Sequence, residues 1–70
     1  MTTLEAVKFA SKVKVGTLIK ASGMIMRVDE IKEDAFAGQT IYKGKDRGLT
    51  FLSFETLLNP HYCKDIQILN

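Results

Sequence analysis

Seventy residues, 46% of them hydrophobic and 26% charged, make a single domain near the lower size limit, because a chain this short hides only about 60% of the surface its unfolded form exposes. One cysteine, Cys63, excludes an internal disulfide framework. A net charge of +2 is too small to turn the whole molecule into an electrostatic trap for phosphates, yet the composition is far from that of disordered chains.

Near the start, Thr2 is followed three residues on by Glu5, the spacing at which a hydroxyl and a carboxylate satisfy each other's free backbone N–H groups at a helix start. Leu4, Val7 and Ala10 then recur at helical spacing. A short helix within residues 1–12 is expected, and it must dock, since helices under about 12 residues are marginal in water.

From residue 13 to 70 the periodicity is that of strands. Val13 and Val15 alternate, Gly16 turns the chain, Leu18 to Ala21 continue it, and Ser22-Gly23 has the composition of a tight hairpin. Met24, Met26 and Val28 share one strand face. Ile31 has the opposite parity, so a bulge near Asp29 and Glu30 is expected to return it to the core and bend the strand. After the polar "KED" break, "AFAGQTIYK" reads as a strand in which Gly38 marks a bend or a close backbone approach. "YKGKDRGLTF" is a hairpin leading into "LTFLSF", with "DRG" supplying turn-favouring residues. "FETLLNPHY" holds a helical turn that must end before Pro60. In "DIQIL", Ile66 and Ile68 alternate as a closing strand.

One helix and about five short strands, with no interior helix to cross between parallel strands, give a mainly β fold: a small five-stranded antiparallel barrel behind a short N-terminal helix. The bent second strand, compact middle hairpin, helical turn and short last strand resemble the SH3-like small barrels. More narrowly, "VKVGTLIKASGMIMRVDEI" looks like the opening of KOW and Tudor-type modules, and a helix ahead of a five-stranded barrel is similar to Sm-like proteins. In scale alone, the chain resembles phage, plasmid or regulatory accessory factors.

Catalytic inventory is thin. His61 and Cys63 would point the same way in a strand, but zinc would need further ligands, and no CxxC or HxxxH spacing supplies them. The carboxylate pairs Asp29/Glu30 and Glu33/Asp34 read as solvated turns. "GKDRG" lacks the spacing of a phosphate loop. No catalytic activity, cofactor or metal is expected. No signal-peptide order and no run of roughly 18 apolar residues is present, so the expected setting is a reducing cytoplasm, with no membrane.

Two kinds of partner remain. For nucleic acid, Lys43, Lys45 and Arg47 offer phosphate contacts and Tyr42, Phe51 or Phe54 a stacking face, with Lys12, Lys14 and Arg27 as additions. Three cations would give a salt slope of only about −2 to −3, and charged tips also serve to blunt edge pairing. For protein, Met24 and Met26 offer adaptable contacts, and Leu49, Phe51, Leu52, Phe54, Leu57 and Leu58 crowd ten positions. A strand shows only alternate residues to one interior, so some of these should either cover the barrel end or meet another chain. The expected function is a non-enzymatic interaction module that binds another protein and itself, through Phe51, Phe54, Leu57, Leu58, Met24 and Met26. A nucleic-acid-binding barrel is the alternative.

Overall fold

The structure, a computed structural model, describes residues 1–59 and 65–69. Helix α1 (Thr3–Ser11) precedes strands β1 (Leu18–Ala21), β2 (Met24–Ile31), β3 (Ala35–Tyr42) and β4 (Lys45–Ser53); helix α2 (Phe54–Leu58) and strand β5 (Gln67–Ile68) follow.

The start of α1 is a reciprocal cap. Glu5 N donates to Thr2 Oγ1 at 3.2 Å and Thr2 N donates to Glu5 Oε1 at 2.9 Å, so two N–H groups that the helix cannot pair find partners. The backbone N–H of Thr2 holds the Glu5 carboxyl below its ordinary value. Ala6 is buried, and Phe9 and Ala10 pack on the core, whereas Leu4 and Val7 stay exposed. The inward face is therefore rotated from the one that Leu4 and Val7 suggest.

Val13 and Val15 do not begin a strand. Val13 is buried and Val15 exposed in a tight turn where Thr17 N donates to Lys14 O at 3.0 Å and Lys14 N donates to Thr17 Oγ1 at 2.9 Å. That pairing leaves the buried Thr17 hydroxyl satisfied.

The strands form one antiparallel sheet in the order β4-β3-β2-β1-β5. Two hairpins have two-residue turns with both residues at positive φ: Ser22 (52°) and Gly23 (76°), then Lys43 (51°) and Gly44 (75°). Such turns match the twist of the flanking strands, and glycine reaches the required conformation without a Cβ penalty. The second turn lies at Lys43-Gly44, one step ahead of "DRG", which falls inside β4. There Arg47 and Gly48 stand against Thr40 alone, in a second register shift.

The β2 bulge lies between Val28 and Glu30. It places Ile31 opposite Phe36, but at the sheet's end, where Ile31 remains 48% exposed instead of entering the core. Gly38 pairs with Val28 beside this bulge. A Cβ there would collide with the Arg27 carbonyl and press on Asp29 N at 3.1 Å.

One face of the sheet carries Ile19, Met26, Val28, Phe36 and Leu52 into the core, where Ala6, Val13 and Leu57 close over them. Phe54 meets Phe36 edge-on, with centroids 5.5 Å apart and planes at 80°. Ile66 and Ile68 pack against this cluster, as their alternation requires. The fold is thus mainly β, five antiparallel strands with a short N-terminal helix. No pairing among the described residues joins β4 to β5.

Candidate protein-interaction surface

Strand β4 is nine residues long and stands at the edge of the sheet. It is paired to β3 on one side, and no described strand pairs with the other. Register settles which side chains share the outer face, since directly opposed residues point the same way. Arg27, Gln39 and Leu49 form one row, Ile25, Ile41 and Asp46 another, and Ala37 pairs with Phe51. On this face Leu49 is 77% and Phe51 63% exposed. Two large apolar side chains two residues apart therefore flank a strand edge that no described strand pairs.

Arg27 ties the face together. Its Nε donates to Asp29 Oδ1 at 2.7 Å, Nη1 to Asp46 Oδ1 at 2.8 Å and Nη2 to Asp46 Oδ2 at 2.9 Å. The guanidinium spans from the β2 bulge to β4 across β3. Its hydrogen bonds to Asp29 and Asp46 raise its pKa above the ordinary arginine value, and the same contact lowers that of Asp29. With its charge committed to two carboxylates, Arg27 adds no free cation to the surface. Asp46 lies 19 residues away, and only the strand register brings the pair together.

At the hairpin tip, Lys43 Nζ lies 5.4 Å and the Arg47 guanidinium 5.8 Å from the Tyr42 ring centroid. The four nucleic-acid candidates, Tyr42, Lys43, Lys45 and Arg47, do gather at one exposed tip. Both cations therefore lie within about 6 Å of the ring centroid, and Tyr42 itself is 57% exposed.

The protein-contact candidates divide. Phe51, Leu58 and Met24 are exposed, the last at 56%. Met26 and Leu57 are core residues, and Phe54 is half-buried against Phe36; these three hold the surface in place and do not form it. Leu49 belongs with Phe51, and the signal for it is the alternation in "LTF" once the turn is moved to Lys43-Gly44. Two hollows adjoin. One of about 230 Å³ opens between the first hairpin and β4, lined by Ile19, Ala21, Met24, Met26, Thr50 and Leu52 among others. Another, of about 530 Å³, lies between α1 and α2, lined by Val7, Ala10, Phe54 and Leu58 among others.

His61 and Cys63 lie outside the described residues. Among the described residues no group of three or more His, Cys, Asp or Glu is placed to hold a metal ion, and no helix is long and apolar enough to cross a membrane. No family model, curated protein or solved structure matches the chain.

Proposed function

We propose that this chain is a non-enzymatic interaction module of the SH3-like barrel kind, working in a reducing cytoplasm, that binds protein through the outer face and free edge of β4. The observation that carries the reading is the exposure of Leu49 and Phe51 on a nine-residue edge strand. Water-exposed apolar pairs beside an unpaired ladder favour an added strand, which supplies backbone hydrogen bonds while its side chains cover the apolar ones. The bent β2, the two tight hairpins and the helical turn before β5 support the barrel reading of the sheet.

The test is capture from native cell extract by the wild-type chain and by Leu49→Lys/Phe51→Lys, each with and without nuclease. Partners that persist through nuclease and disappear with the double variant support the reading; partners retained by the variant refute it. Binding of a short oligonucleotide at low salt, falling steeply as salt is added and lost in Lys43→Ala/Arg47→Ala, would instead favour the hairpin tip as a nucleic-acid contact.

A further inference from the structure

The free edge of β4 has an electrostatic order along its length. At its beginning stand Lys43, Lys45 and Arg47, all exposed; Asp46, the acidic residue among them, is held by Arg27. At its end stand Glu33, Asp34 and Glu55, also exposed. Strand register and hydrogen bonding bring these three to that end: Ala35 pairs with Ser53, Phe54 N donates to Asp34 O at 3.0 Å, and Glu55 lies in the first turn of α2. None of these six side chains makes an ion pair with another described residue. Between the two ends lie Leu49, Thr50 and Phe51.

Basic at one end, apolar in the middle and acidic at the other, such a strand is complementary to itself when reversed. We infer that β4 pairs antiparallel with β4 of a second copy of this chain, about a two-fold axis at Thr50, joining the two sheets edge to edge. That register sets Leu49 opposite the partner's Phe51, and Phe51 opposite the partner's Leu49, on the same outer face. It also lays Lys45 and Arg47 beside the acidic end of the partner strand. A two-fold contact repeats every favourable pair twice, so a modest complementarity counts double. A parallel arrangement would set like charges together at both ends, which costs affinity and rejects that orientation. The inference rests on the reading of the chain as a protein-interaction module and names the partner at that edge.

Sedimentation velocity at micromolar concentration tests it with three variants. Wild type should sediment as a dimer. Lys45→Glu/Arg47→Glu, acidic at both ends, and Glu33→Lys/Glu55→Lys, basic at both ends, should each dimerise about tenfold or more weakly. Mixed in equal amounts, these two should pair with each other. Leu49→Lys/Phe51→Lys should be monomeric. Amide exchange at residues 49–51 of the wild type should slow as concentration rises, a readout that needs no variant. A monomeric wild type, charge variants that self-associate as wild type does, or a mixture that fails to pair would overturn the self-pairing. If the wild type is monomeric yet still captures partners that the Leu49→Lys/Phe51→Lys chain loses, the module reading stands and only the second copy is wrong.

Discussion

At the scale of single residues, Gly38 has the least freedom to change. It sits opposite the β2 bulge, and a Cβ would meet backbone, the Arg27 carbonyl and the Asp29 amide, neither of which is the soft end of a side chain. The neighbouring Arg27 and Asp29 are also held by the ion-pair cluster that reaches Asp46, so relief by moving β2 would strain that cluster. Gly38→Ala is therefore expected to destabilise by about 1–3 kcal/mol, the usual cost of forcing atoms into filled space. The urea midpoint should fall with an unchanged slope; a midpoint equal to wild type would mean that β2 can withdraw from β3 at that point without loss. Close approach at Gly38 is legible from a glycine amid β-branched and aromatic neighbours. The Arg27 cluster is not, because nothing local to either residue signals a partner that only the β2–β3–β4 register supplies.

Among the elements, those with a local chemical signature were readable. The Thr2–Glu5 spacing marks α1, Ser22-Gly23 marks the first hairpin, and the parity change at Ile31 marks the bulge. Misreadings arise where two local rules compete. "KGKDRG" offers turn residues at two places, and the two-residue Lys43-Gly44 turn wins because its positive φ values suit the strand twist, leaving Asp46 free to meet Arg27. Alternation at Val13 and Val15 mimics a strand, but the Lys14–Thr17 hydrogen bonds close a turn there first. Of the candidate contact surface, the apolar excess in β4 was legible; which residues would be absorbed by the core was not, since Leu57 and Met26 differ from Leu49 and Met24 only in what the fold lays over them. The cap makes a prediction for α1 itself. Nine residues do not sustain a helix alone, so α1 depends on its cap and on the burial of Ala6 together with the packing of Phe9 and Ala10. Thr2→Ala should cost about 0.5–2 kcal/mol and appear first as faster amide exchange across residues 3–11, with β2 and β3 protected as before. Uniform loss of protection over the whole chain would show instead that the helix and sheet unfold as one unit.

For the whole molecule, small size and an uncovered strand bear on the same quantity. A 70-residue chain has a thin margin of stability, and among the described residues the fully buried large side chains are few: Phe36, Ile19, Leu57 and Val28. Pairing through β4 would shift the balance by mass action, because a species that exists only when two folded chains meet draws the unfolded population toward it. Above the dimer dissociation constant, each tenfold rise in concentration is worth about 1.4 kcal/mol per dimer, or about 0.7 kcal/mol per protomer. In a domain this small that corresponds to a thermal midpoint higher by about 3–6 °C. The wild-type midpoint should thus climb with concentration, and the Leu49→Lys/Phe51→Lys midpoint should stay level across the same range. The contrast is informative because a lysine pair on an exposed edge leaves the core untouched. At concentrations too low for pairing the two midpoints should converge, and a wild-type midpoint that is flat throughout would show that the protomer's stability owes nothing to a second chain.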